Sequence, residues 1–117
     1  MGNVFSLFGA KKTSKTNNAI ASAYTKEFTY LPSYHWVQAF EYTPATEKEP
    51  FAKAKYLIHN TTDTQVHEGY QAILINDGWT ITQETKVITF SAKKDIHLAN
   101  ISISSSDEGI ILTVQSK

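Results

Sequence analysis

The 117-residue chain contains no cysteine and no arginine. Without cysteine there is no disulfide, no thiolate-held zinc and no thiol nucleophile, and the redox compartment stays open. Without arginine all 11 cations are lysines. Lysine is a point charge that lacks the planar fork used to grip phosphate, carboxylate or guanine through two hydrogen bonds, which argues against nucleic-acid recognition. Glycine is scarce, at positions 2, 9, 69, 78 and 109. These form no phosphate-cradling cluster, and no Gly-x-Ser-x-Gly elbow is present. Proline occurs 3 times, too rarely for a fibrous or low-complexity chain. No apolar run approaches the roughly 20 residues of a membrane-spanning helix.

What remains is a composition with 41% hydrophobic and 19% charged residues, enough for one modest core. The formal charge is +0, but it is unevenly placed. Residues 1–26 hold Lys11, Lys12, Lys15 and Lys26 and no acid, while all 11 acids fall after them. Residues 11–18 read KKTSKTNN, with no apolar side chain to offset the entropy of ordering them. Residues 1–18 therefore read as a flexible leader and 19–117 as a single α+β domain. A short helix over 18–24, capped by Asn17 or Asn18, is expected at the junction.

From Phe28 the pattern turns to strand. Residues 34–42 place Tyr34, Trp36, Phe40 and Tyr42 in one phase and predict a first strand. Residues 51–59 alternate, with Ala52, Ala54, Tyr56 and Ile58 on one side and Lys53, Lys55 and His59 on the other, joined by Phe51 and Leu57. Period-two alternation marks a strand with one buried face. The polar stretch between them, bracketed by Pro44 and Pro50, predicts a long hairpin loop. A helix is predicted over 63–76, capped by Thr62, Asp63 or Thr64, with Val66, Tyr70, Ile73 and Leu74 on its apolar face and Asn76-Asp77-Gly78 ending it. Four further strands follow, about 79–84, 87–92, 96–104 and 109–115, rich in β-branched residues and separated by short turns. The order β-β-α-β-β-β-β with short connections gives an α+β two-layer sandwich: an antiparallel sheet with one main helix on one face.

Residues able to carry chemistry are few. His35, His59, His67 and His97 lack metal-site spacing, so no metal and no cofactor is implied. A fold can still bring His59 and His67 together at the helix entrance, and His67 with Glu68 or Asp63 would be the acid–base pair of a small hydrolase. Asn60-Thr61-Thr62 and Asn100-Ile101-Ser102 match the glycosylation sequon, a pattern common by chance. The aromatic set Tyr34, Trp36, Phe40 and Tyr42 is the candidate contact surface for a protein or small ligand.

The run Tyr56-Leu57-Ile58, Thr61-Thr62, Val66, Tyr70, Leu74, Gly78-Trp79, Phe90 and Lys94 resembles the small extracytoplasmic domains of bacterial lipoproteins and cell-envelope proteins. In those, a strand ends in a Thr-rich cap, a V-x-x-x-Y-x-x-x-L helix leads to Gly-Trp, and an antiparallel sheet follows. The resemblance covers about half of the chain and transfers no catalytic residue. It implies a non-enzymatic, envelope-associated binding or accessory domain, the mature part of a small lipoprotein on the periplasmic face of a membrane. Met1 would then stand where a lipidated Cys stands in the native protein, with Gly2, Phe5 and Phe8 in the membrane tether. The alternatives are a myristoylated amino terminus, since residues 1–6 fit that consensus, and a soluble intracellular ligand-binding helix-on-sheet module.

If Val66, Tyr70, Ile73, Leu74 and Trp79 join helix to sheet, Trp79→Ala should cost roughly 3–5 kcal/mol. A variant melting at the wild-type temperature would remove that assignment. His67, read as lying on the helix's other side, should tolerate alanine with little change.

Overall fold

The strand expected over 34–42 is interrupted by a turn. The computed structural model describes residues 24–85 and 89–117, and in it His35 and Trp36 both have positive φ, at 51° and 63°. Two consecutive left-handed residues reverse the chain, at a cost of roughly 1–2 kcal/mol per residue. The Trp36 amide donates to Ser33 Oγ at 3.1 Å, which holds the turn. Extended structure starts only at Ala39. Of the helix expected over 18–24, only Tyr24 is described, and its backbone bridges to Pro32. The rest of that helix, the leader with Gly2, Phe5 and Phe8, and the expected boundary at residue 19 lie outside the described residues.

The chain divides into two units, Met1–Trp36 and Val37–Lys117. In the first, Thr25 Oγ1 donates to the Phe28 carbonyl at 2.7 Å and accepts from the Phe28 amide at 2.8 Å. The Leu31 carbonyl accepts from the Thr25 amide at 3.0 Å. These bonds close a tight loop with Phe28 and Leu31 buried.

The second unit contains β1 (Ala39–Thr43), β2 (Ala52–Ile58), α1 (Asp63–Asn76), β3 (Thr80–Thr85), β4 (Thr89–Lys94), β5 (His97–Ser106) and β6 (Gly109–Ser116). It is an α+β unit in which the six strands form one antiparallel sheet in the order β1-β2-β6-β5-β4-β3. Strands β3 to β6 follow one another as a meander, as their short turns require. β2 pairs instead with β6, so α1 carries the chain across the sheet to β3 and lies against β3, β5 and β6.

Register separates the two faces. Ala54 pairs with Val114, Val114 with Ile101, and Ile101 with Phe90. Tyr56, Leu112 and Ile103 form a second such row. All seven side chains are buried. On β2 the burial alternates strictly, as the sequence pattern required.

The helix is closed at both ends by its own sequence. Thr62 Oγ1 accepts from the Gln65 amide at 3.2 Å while Gln65 Oε1 accepts from the Thr62 amide at 3.3 Å, a reciprocal capping box. At the other end the Gly78 amide donates to the Ile75 carbonyl and the Trp79 amide to the Leu74 carbonyl, each at 3.0 Å, with Gly78 at φ 96°. This is a Schellman closure, and the buried Leu74 and Trp79 supply its apolar contact. Lys94 Nζ donates to the Asp77 carbonyl at 2.6 Å and reaches its carboxylate at 3.2 Å. A cation at the negative end of the helix dipole stabilises both.

Gly109 is required for a different reason. Its φ is 150°, and a Cβ placed there would lie 2.5 Å from the Ile58 carbonyl oxygen on the neighbouring strand. That contact is with backbone and cannot yield by a side-chain rotation. Gly109→Ala is therefore expected to lower stability by roughly 1–3 kcal/mol, read from the denaturant midpoint. A midpoint equal to wild type would show that β2 and β6 do not approach this closely.

Candidate functional site

The four aromatic side chains singled out by the sequence do not share one strand. Tyr34 and Trp36 belong to the first unit, Phe40 and Tyr42 to β1 of the second. Tyr34 is buried, its ring stacks edge-on against His35 at 4.4 Å, and burial pushes its phenol pKa up. The other three reach the surface: Trp36 is 59% exposed, Phe40 55% and Tyr42 47%. On β1, Glu41 pairs with Lys55 and Tyr42 with Ala54, and the register shifts between Ala39 and Glu41. The irregularity falls at Phe40, where a bulge re-aims side chains.

The helix histidine is placed differently from the sequence expectation. His67 is 4% exposed, so it lies on the buried side of α1 together with Val66, Tyr70 and Leu74. Its ring meets the edge of Phe90 at 5.5 Å. Ile73, expected on the apolar face, is only half-buried. The reason is helical geometry: position 67 is three residues before Tyr70 and seven before Leu74, on the same stripe. The position was readable from the sequence, but histidine does not enter an apolar pattern.

Nor does His67 pair with Glu68 or Asp63. Its Nε2 lies 3.4 Å from Glu84 Oε2 on β3 and 3.4 Å from Gln71 Nε2, one helical turn on. Gln71 Nε2 also donates to Glu84 Oε2 at 3.0 Å. A neutral ring can accept from Gln71, and a charged ring can donate to Glu84, so the buried nitrogen has a partner in both states. The cluster ties α1 to β3. His59 goes elsewhere: its Nδ1 donates to the Glu108 carbonyl at 3.0 Å, clipping the end of β2 to the β5–β6 turn. The structure thus sends His59 and His67 to different elements. Tyr70, fully buried, has its phenol pKa pushed well above the usual value by burial and further by Tyr56.

Among the described residues no three His, Asp or Glu side chains gather as a metal site. No helix of the described residues is long and apolar enough to cross a membrane. Compared with protein families, curated proteins and solved structures, the chain matches none.

His67→Ala is expected to cost about 1–3 kcal/mol, because it removes a buried ring and leaves Gln71 and Glu84 with one partner fewer. Chemical denaturation with wild type alongside reads this directly. A change within error of zero would show that the contact with Phe90 contributes nothing.

Proposed function

We propose that this chain is a non-enzymatic binding or accessory domain of the bacterial cell envelope, the mature part of a small lipoprotein. In this reading the second unit is a two-layer α+β sandwich with α1 over one sheet face. Residues 1–18, with Gly2, Phe5 and Phe8, tether it at the periplasmic side of a membrane. Tyr34 and Trp36 of the first unit, and Phe40 and Tyr42 of the second, are the side chains that meet a protein or small ligand, with Trp36 and Phe40 as the main contacts.

The observation that carries the binding part is Trp36. An indole 59% exposed on a left-handed backbone, pinned by Ser33 Oγ, costs conformational energy and leaves apolar surface in water. Large aromatic rings presented in this way are the usual anchors of interfaces. The lipoprotein part rests on the resemblance of the Thr-Thr cap, the Val66-Tyr70-Leu74 helix and Gly78-Trp79 to envelope domains, and on the lysine-rich stretch before them.

Two measurements separate these parts. Mass spectrometry of the chain recovered from its native cells is expected to find a lipid-modified cysteine at the position of Met1, in the membrane fraction. An unmodified methionine in the cytosol would remove the tether. A photoreactive residue at position 36 or 40, irradiated in cells, is expected to capture one discrete envelope component that the same probe at the exposed Ala72 does not. Equal capture from all three positions, or none, would remove the aromatic contact.

A further inference from the structure

The sheet face opposite the buried rows has its own chemistry. Register places Lys53, Gln115, Asn100 and Ser91 in one row across β2, β6, β5 and β4. The next row is Lys55, Thr113, Ser102 and Thr89, with Glu41 beside Lys55 on β1. Lys93 follows Ser91 on the same side of β4, opposite Leu98, whose backbone exchanges hydrogen bonds with Lys117. Every one of these side chains is half-buried or exposed. Within the two rows lies a shallow concavity of about 230 Å³, lined by Thr89, Ser91, Asn100, Ser102, Thr113 and Gln115 together with Phe90 and Ile101.

Three features of this surface point to one class of ligand. The polar part of the floor consists of hydroxyls and amides, which both donate and accept hydrogen bonds, set among a larger area of carbon. Ser91 Oγ donates to Asn100 Oδ1 at 2.8 Å, which turns the amide donors of Asn100 away from that bond. The rim is cationic: among the described residues Lys53, Lys55, Lys93 and Lys117 stand on this face, with the carboxylate of Glu41 beside them. Glu41 lies 3.6 Å from Lys55. Among the described residues Lys53 and Lys93 have no carboxylate partner.

The spacing sets the ligand's shape. Lys53 and Lys55 are two residues apart on β2, about 7 Å, and Lys93 lies three strands away, about 14 Å across the sheet. The first separation falls within the screening length of about 8 Å at physiological salt and the second well beyond it, so the lysines meet different parts of one extended ligand. A single phosphate would need a converging fork, which lysines spread this far do not form. Lys117 Nζ lies 5.0 Å from the centre of the Phe51 ring and covers it, so no open ring is offered there for base stacking.

We infer that the open sheet face binds an acidic polysaccharide, with the hydroxyl and amide floor taking the sugar hydroxyls and the lysine rim taking the carboxylates. Lys53 and Lys93 engage the chain from opposite ends of the concavity. The test of this surface does not depend on the test of the aromatic contacts.

The experiment titrates isotopically labelled full-length protein with oligogalacturonate, a uronic-acid chain, and follows the backbone amides. Saturable shifts are expected at Ser91, Asn100, Ser102 and Thr113, weakening as salt is raised. Neutral dextran of equal length should produce none. The double variant Lys53→Gln, Lys93→Gln should bind oligogalacturonate about tenfold more weakly at an unchanged melting temperature. The control variant Ala72→Ser, at an exposed position of α1, should bind like wild type. Absence of saturable shifts, equal binding of dextran, or full affinity in the double variant would overturn the proposal. So would tighter binding to phosphatidylglycerol vesicles or to duplex DNA than to oligogalacturonate, since each names a different ligand for the same lysines.

Discussion

The pairing of β2 with β6 is the constraint on which the rest of the second unit depends. It joins strands more than fifty residues apart in sequence through a continuous register from Ala52–Ser116 to Ile58–Ile110. Side chains alternate along a strand, so a slip of one residue would exchange the faces. Ala54, Tyr56 and Ile58 would move into water and Lys53 and Lys55 would be buried without partners, at a cost no short strand can offset. Gly109 helps fix this register. Its backbone passes so close to Ile58 that no side chain fits, and His59 ties the same corner to Glu108. Because β2 takes the place beside β6, the chain can reach β3 only by crossing the sheet, and the helix is that crossing.

A helix in this position has to be held at both ends and in the middle. The Thr62–Gln65 box closes its start, and the Leu74–Trp79 closure with Lys94 on Asp77 fixes its end. The His67–Gln71–Glu84 cluster fixes its middle to β3. The polar cluster does what an apolar residue at position 67 would not. Burying a ring nitrogen is favourable only where its partners are met, so it selects one rotation of the helix over its neighbours. A helix turned by one residue would leave the imidazole nitrogen, the Gln71 amide or the Glu84 carboxylate short of a partner.

How far these features can be read from the sequence follows from what each signal encodes. The helix limits 63–76 were legible because caps are local: Thr62 and Gly78 announce the ends in their own residue types. The strands after Gly78 and the alternation of β2 were legible because burial on one face writes itself at period two. The strand expected over 34–42 does not form in full: the same period of aromatics says nothing about the sign of φ. His35 and Trp36 turn the chain through contacts that no pattern of hydropathy records. His67 was misplaced for the converse reason. Its position on the apolar stripe is plain, but an ionisable ring reads as a residue for solvent, and the partner that reconciles it with burial, Glu84, lies on a strand 17 residues later.

The candidate surfaces differ in the same way. An aromatic side chain can be found by reading the sequence, but whether it is exposed cannot: Tyr34 is buried and Trp36 is not, two residues apart. The lysine face was hidden more completely. The net charge of +0 averages Lys53, Lys55, Lys93 and Lys117 with acids that lie elsewhere, such as Asp63 and Glu68 on the helix and Asp107 and Glu108 in a turn. A zero sum conceals a cationic surface whenever register sorts the charges by face. Here register is set by the burial of Ala54, Tyr56 and Ile58 on the other side of the same strand. The packing that defines the core therefore also determines where these lysines stand, and a single substitution that shifted β2 would dismantle both.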